Sequence, residues 1–382
     1  MTRFPINEFA NQATPFYFYD IDLLESTLAT LIRAKNDDRF KVHYAIKANA
    51  NPLVLEPIRQ AGLGVDVVSG YEIKAALDAG FDPAKIVFAG VAKTDPEIAF
   101  ALDNRIGCFN VESLPEIDAI NAIAKQKGVV ADVAIRVNPN VDAHTHHYIT
   151  TGLSENKFGI DMTLLDSVID HVIALDNLKL VGLHFHIGSQ ITEFEPYRLL
   201  CQRINELQAG LAKRGVRLPI INVGGGLGID YADPDRHPIA DFASYFAIFR
   251  ANLVLAPDQE AHFELGRSIV AQCGSLIARC VYVKKGVKKQ FAILDAGMTE
   301  LIRPALYQAH HKIQNLSSPQ AVEELYDVVG PICESSDIFG KDELLPQIKR
   351  GDIVALRSAG AYGEVMASRY NQRPLPPTFN PA

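Results

Sequence analysis

The sequence predicts an α/β fold: a (β/α)8 barrel of the TIM type joined to a second, mainly β domain. Three observations carry this expectation. Eight short apolar, β-rich runs recur between residues 43 and 266: HYAIKA (43–48), GVDVVS (64–69), KIVFAG (85–90), GCFNVE (107–112), DVAIRVN (132–138), LVGLHFHIG (180–188), IINVGGG (220–226) and HFELG (262–266). The segments between them read as helices. NPLVLEPIRQAG, YEIKAALDAG and SLPEIDAINAIAKQKG place apolar residues at three- and four-residue intervals and end on glycine. After about Ser275 the helical period fades into strands and turns, as in LIARCVYVKKGVKKQFAILDAG, LYDVVGPICESSD and GDIVALRSAGAYG.

Eight strand–helix units within roughly 225 residues match the count and size of a TIM barrel. A doubly wound open sheet usually has fewer strands and a glycine-rich turn after the first, which the residues following HYAIKA lack. Ahead of the first unit, TPFYFYD (14–20) reads as one more strand, expected to join the β domain. The proline-rich tail RPLPPTFNPA is expected to be extended. The expected boundaries are therefore 22–275 for the barrel, with 1–21 and 276–382 forming the β domain.

Bulk composition narrows the function. The 382 residues, 48% hydrophobic and 21% charged, suffice to bury a core, and a net charge of −8 argues against nucleic acid or an anionic membrane as partner. The five cysteines are odd in number, scattered and without a C-x-x-C pair, so neither a disulfide framework nor a zinc site is expected. The start MTRFPINEFANQ has no apolar signal-peptide core, and no run reaches the roughly 18 apolar residues of a membrane helix. A cytoplasmic protein in a reducing compartment is expected.

In such a barrel the chemistry sits at the C-terminal ends of the strands. The first delivers Lys47 and Asn49, the second Asp66 and then Glu72, and the fifth Arg136 and Asn138. The sixth delivers His184, His186 and Ser189, the seventh GGGLG (224–228), and the eighth Glu264, Gly266 and Arg267. Alternation along HYAIKA sends His43, Ala45 and Lys47 to one face and Tyr44 and Ile46 to the other. A lysine there needs a partner or a purpose. The plain alternative is an ion pair with Asp66 or Glu72. Gly224, Gly225 and Gly226 let backbone N–H groups crowd an anion with no Cβ in the way, and loops after strands seven and eight commonly bind phosphate. A reactive lysine, a phosphate cradle and the carboxylate of Glu264 together point to pyridoxal phosphate: the lysine meets the aldehyde, the acid keeps the ring nitrogen protonated, and His186 lies against the ring.

Ten ordered motifs carry a resemblance: TPFYFYD, YAIKAN, NKFGI, HFHIGSQI, GGGLGIDY, ELGRSIV, LDAGM, RPALYQAHH, GPICESSD and GAYG. Across nearly the whole chain the sequence resembles the diaminopimelate decarboxylases, within the alanine-racemase-like pyridoxal enzymes that include eukaryotic-type ornithine decarboxylase. The resemblance implies decarboxylation of meso-diaminopimelate to L-lysine, the last step of lysine biosynthesis, in a homodimer with shared active sites. It implies Lys47 as the Schiff-base lysine, with Asp66 and Glu72 near it, His186 stacked on the ring and Ser189 holding the cofactor. Gly224, Gly225, Gly226, Gly266, Arg267 and Tyr362 would bind the phosphate or its surroundings, and Glu264 the pyridinium nitrogen. Arg303 and Tyr307 of RPALY would clamp the substrate's distal carboxylate, with Arg267 and Tyr362 also reaching substrate. Glu334 would take the distal ammonium, and Cys333, from the partner subunit, would protonate the product. Lys47, His186 and Cys333 are thus the catalytic candidates. The sequence departs from the family's pattern at Leu265 in place of proline, Arg369 in place of asparagine and Leu375 in place of arginine.

Other readings compete. Decarboxylases of ornithine, lysine or arginine share the barrel, but their substrates have no second carboxylate for an RPALY motif to hold. DAHTHHY (142–148) has three histidines, yet a loop guarantees no convergent ligand geometry and no metal is expected. His184 and His186 share a strand face and suit a metal-dependent hydrolase, which leaves Lys47 and GGGLG unexplained. A pyridoxal-phosphate carrier lacks the second domain, and a racemase calls for a tyrosine base with no matching motif here.

Overall fold

The structure, a computed structural model, describes residues 4–141, 157–319 and 322–379. The histidine run 142–148 lies outside the described residues. The chain divides into two compact units, one of residues 28–228 with 241–266 and one of residues 1–27 with 229–240 and 267–382.

The first unit is a closed barrel of eight parallel strands: β1 Phe40–Ala45, β2 Gly64–Val67, β3 Ile86–Phe88, β4 Cys108–Val111, β5 Ala131–Asn138, β6 Leu178–His184, β7 Ile220–Asn222 and β8 Glu260–Leu265. Each pairs with the next and β8 pairs back to β1, so no edge is left in the ring. All eight strands overlap the apolar runs of the sequence. Their helices start where the sequence supplies caps. Asn51 accepts from Leu53 N–H ahead of Pro52–Gln60, Ser69 from Glu72 N–H ahead of Gly70–Asp78, and Ser113 from Glu116 N–H ahead of Leu114–Lys127. The last of these helices ends on Gly128 at φ 66°, the left-handed stop that favours glycine. Between barrel and helices the packing is aromatic: the Phe263 ring of β8 lies 5.0 Å from both Phe246 and Phe249 of the helix Phe242–Asn252.

One strand differs from expectation. β1 ends at Ala45, and Lys47 sits on a single 3-10 turn, Ile46–Ala48. The apolar alternation runs on past the true strand end because the chain has already begun to turn. Tyr44 Oη donates to the Asn49 carbonyl at 2.8 Å and the Asn49 side chain accepts from Asn51 N–H at 2.8 Å. Pro52 then opens the next helix. The lysine is therefore carried beyond the barrel wall on a short braced turn.

The second unit is a sheet of β9 Gly274–Lys285, β10 Gln290–Leu294, β11 Ile313–Asn315, β12 Glu323–Val329, β13 Ile338–Pro346 and β14 Ile353–Leu356, in the order β11-β14-β9-β10-β12-β13. The N-terminal strand Phe16–Tyr19 pairs antiparallel with β9, as the sequence predicts, and parallel with Thr378–Phe379 of the tail. Phe9, Phe16, Phe18, Ile277, Leu316, Ile353 and Ala355 form its core. β11 and β13 were not foreseen. Among the described residues no helix is long and apolar enough to cross a membrane. All five cysteines are free, four buried and Cys333 exposed.

Two buried histidines set an acid limit on the fold. His43 on β1 lies 3.0 Å from His262 and 3.2 Å from the Lys85 carbonyl; burial, and then His262, push its pKa down to about 3. In the second unit burial, and then Arg303, push His311 down to about 3 as well. An unfolded histidine titrates near 6.5, so between about 6.5 and about 3 the unfolded chain binds more protons than the folded one. The stability these neutral rings contribute is complete above about 6.5 and is lost as pH falls, by about 1.4 kcal/mol per histidine per pH unit. Urea midpoints should fall steadily from pH 6.5 to pH 5; midpoints that stay level across that range contradict the assignment.

Candidate active site

The barrel's C-terminal end carries an acid–base cluster built from separate strands. Lys47 Nζ lies 3.1 Å from Asp66 Oδ2; Asp66 is wholly buried, whereas the Lys47 side chain is 37% exposed. The ion pair of the plain reading is therefore present, and its partner is Asp66. Glu72 is occupied elsewhere, accepting from Val68 N–H at 2.7 Å. Burial, and then the charge on Glu264, raise the Asp66 pKa against the pull of Lys47. Asp66 Oδ1 is buried with no hydrogen-bond partner among the described residues.

Glu264 on β8 is held from three sides. Oε1 accepts from Asn222 Nδ2 at 2.7 Å and from Asn110 Nδ2 at 3.2 Å, and Oε2 lies 3.0 Å from His184 Nε2. Burial alone would raise its pKa; His184 and then Lys47 outweigh this and bring it well below the ordinary carboxylate range. Glu264 is thus a buried, ionised acid. Asn110 and Asn222 were missed in the sequence. Their signal was a single polar residue in each of two otherwise apolar strands, CFNV and IIN.

His186 is half-buried just past β6. Its Nδ1 accepts from Gly225 N–H at 3.3 Å. Burial, and then Arg136, hold its pKa well below the usual value, so the ring is neutral. Ser189 follows on the same loop, half-buried. Gly224 N–H donates to Asn222 Oδ1 at 2.9 Å, so two of the three glycine amides bond within the protein. The glycines are needed for close approach: a Cβ on Gly225 would come within 1.9 Å of the Glu264 carbonyl oxygen, and one on Gly224 within 2.2 Å of the Phe185 carbonyl oxygen. Gly266 packs against Ala45 and Ala48 of the lysine turn, where a Cβ would meet both at 3.1 Å. Arg136, expected at the mouth, forms a buried ion pair with Glu112 at 3.0 Å.

The second unit carries its own cluster. Arg267 Nη1 donates to Tyr231 Oη at 2.7 Å, and its guanidinium lies 4.9 Å from the Tyr362 ring centre. The Arg303 guanidinium lies 4.7 Å from the Tyr231 ring centre and donates to His311 Nε2 at 2.9 Å. Two buried guanidinium groups thus share one tyrosine, an arrangement suited to an anion. Tyr307 is half-buried at the end of the helix Arg303–Tyr307. Tyr231 lies in GGGLGIDY and His311 in RPALYQAHH, and nothing local in either motif signals its place beside the arginines. Cys333 and Glu334 are exposed: Glu334 accepts from Tyr370 Oη at 2.7 Å and Cys333 N–H donates to Asn371. Their loop is anchored by Asp337, whose carboxylate accepts from Met298 N–H at 2.6 Å and Ile332 N–H at 2.7 Å. Among the described residues no group of three or more His, Cys, Asp or Glu is placed to hold a metal ion.

Residues 26–271 match the profile described as "Pyridoxal-dependent decarboxylase, pyridoxal binding domain". The diaminopimelate decarboxylase of Bacteroides thetaiotaomicron is 58% identical over 98% of this chain and 97% of its own length. The crystal structure of diaminopimelate decarboxylase from Helicobacter pylori complexed with L-lysine superposes with a TM-score of 0.91, at 40% identity, covering 97% of this chain and 92% of that one. The lysine decarboxylase of Selenomonas ruminantium, 22% identical, shares the fold with a TM-score of 0.86 over 99% of this chain and 96% of its own. The chain belongs to the pyridoxal-dependent decarboxylases and, within them, to the diaminopimelate decarboxylase family.

Proposed function

We propose that this chain decarboxylates meso-2,6-diaminopimelate to L-lysine and carbon dioxide, the last step of lysine biosynthesis, as a cytoplasmic homodimer. Its cofactor is pyridoxal phosphate. The observation that carries the reading is the pairing of Lys47 with Asp66 beside an ionised Glu264, in a chain matched end to end by its relatives.

The residues fit the cofactor. A carboxylate offers about four lone-pair sites, and the three contacts to Glu264 leave it room to accept from a ring N–H. The partly exposed Lys47 amine is reachable, and Asp66 Oδ1 is a buried acceptor still to be used. Bound there, pyridoxal phosphate supplies an aldehyde for amines and a protonated ring that takes up the electron pair left by departing carbon dioxide.

The chain's own residues do the rest. Lys47 provides the amine that holds the cofactor and yields to the substrate amine. Asp66 keeps that amine oriented. Glu264 holds a proton on the ring nitrogen, and neutral His186 offers an uncharged face to the ring. Ser189, Gly224, Gly225, Gly226 and Gly266 border the phosphate, with Arg267 and Tyr362 supplying charge and shape. Arg303 and Tyr307 grip the distal carboxylate, Glu334 the distal ammonium, and the Cys333 thiol delivers a proton to the product. The exposure of Cys333 and Glu334, whose hydrogen bonds go to Asn371 and Tyr370, supports their acting in the site of a second copy. The barrel would thus serve the cofactor, and the β domain would serve substrate choice and dimer formation.

Purified protein loaded with pyridoxal phosphate should release carbon dioxide and L-lysine from meso-diaminopimelate. Turnover of ornithine or arginine instead would keep the cofactor and move the substrate. A protein that takes up no cofactor would overturn the reading.

A further inference from the structure

We propose that His311 is a positioning residue that aims the Arg303 guanidinium at the substrate's distal carboxylate; this rests on the reading of Arg303 given above. The argument is one of proton placement. A guanidinium has donors only, so the 2.9 Å contact between Arg303 Nη1 and His311 Nε2 requires a lone pair on Nε2. The other nitrogen, Nδ1, faces the Arg357 carbonyl at 2.8 Å, and a carbonyl oxygen only accepts. The tautomer is thereby fixed: Nδ1 carries the proton and Nε2 carries none. His311 is a neutral acceptor clamped between a backbone carbonyl and a guanidinium.

The clamp has no slack. His311 is 1% exposed and Arg303 5%. The helix Arg303–Tyr307 closes on Gln308 at φ 53°, a conformation side chains seldom adopt, and the chain then returns so that residue 311 meets residue 303. The Arg357 carbonyl is itself fixed. Arg357 N–H donates to the Lys312 carbonyl at 2.9 Å, and its guanidinium binds Asp235 at 3.1 Å and Gln314 at 2.9 Å. The Arg303 guanidinium also lies over the Tyr231 ring, which meets the His311 ring edge-on at 5.1 Å. Tyr231 and His311 thus restrain the guanidinium together, the ring by contact and the imidazole by accepting one of its N–H bonds. A lysine-like ligand lacking the distal carboxylate has nothing to gain from this arrangement.

The test uses the holoenzyme and two probes: L-lysine, which keeps the distal carboxylate, and 1,5-diaminopentane, the same carbon chain without it. Binding is followed as a change in the cofactor's absorbance. His311→Leu should weaken L-lysine about tenfold or more and 1,5-diaminopentane less than about threefold. His311→Gln, whose amide both accepts and donates, should restore L-lysine binding to within about threefold of wild type. Equal weakening of both probes marks a merely structural histidine and overturns the proposal. So does unchanged L-lysine binding in His311→Leu while Arg303→Leu weakens it; that result leaves the reading of Arg303 standing. If Arg303→Leu leaves L-lysine binding unchanged too, the reading of Arg303 falls and the proposal with it. Where His311→Leu does not fold, His311→Asn, too short to meet both partners, carries the same comparison.

Discussion

Lys47→Ala is expected to lower decarboxylation by a factor on the order of 10³ or more and to abolish the absorption band of covalently held cofactor. The informative partner is Lys47→Arg. The structure shows a true ion pair between Lys47 and Asp66, so a loss in the alanine variant has two possible sources. Alanine removes the amine, and it also strands a buried carboxylate that already has one oxygen without a partner. Arginine keeps the positive charge beside Asp66 but carries no nucleophilic amine, because its guanidinium stays protonated. If the lysine's purpose were the ion pair, arginine would restore most of the activity. If its purpose is the bond to the cofactor, arginine is as inactive as alanine while melting close to wild type. Activity in Lys47→Arg above about a tenth of wild type would reduce Lys47 to a structural partner of Asp66.

The same residue marks how far the sequence could be read. The barrel was legible because parallel strands covered on both faces are short apolar runs, and here each is bounded by glycine or by a helix cap. The second sheet was legible in outline, through its loss of helical period and the pairing of TPFYFYD with β9. What alternation could not locate was the end of β1, since Ile46 and Ala48 continue the apolar pattern through a turn that hydrogen bonds at Asn49 and Asn51 decide. The site was legible in its ionisable residues and not in their supports. Asn110 and Asn222 lie 112 residues apart in sequence, and only the closure of the barrel brings both to Glu264. Tyr231 precedes the second unit's main run by some forty residues, and nothing local says that it serves Arg267 and Arg303. Support residues are found by geometry because their chemistry is ordinary and their placement is not.

Glu264→Gln separates the charge of that acid from its shape. The amide is nearly isosteric and its oxygen can still accept from Asn222, so the barrel end should keep its form. What disappears is a negative charge that His184 and Lys47 sustain against burial. A neutral amide cannot hold a proton on the ring nitrogen, and an unprotonated ring is a poorer store for the electron pair released with carbon dioxide. Turnover should fall on the order of 10²–10³-fold, the scale seen when one preorganised electrostatic contact is lost from a buried site. Cofactor affinity should change far less, since Lys47 and the phosphate contacts remain. A second effect follows from the raised pKa of Asp66, of which the charge on Glu264 is the second cause after burial. Removing that charge makes Asp66 more acidic and tightens its hold on Lys47. The acidic limb of the pH profile for cofactor loading should therefore move to lower pH in Glu264→Gln. Should the variant turn over at more than about a third of the wild-type rate, Glu264 is no electrostatic partner of the ring. Its three hydrogen bonds would then serve only to tie β4, β6, β7 and β8 together.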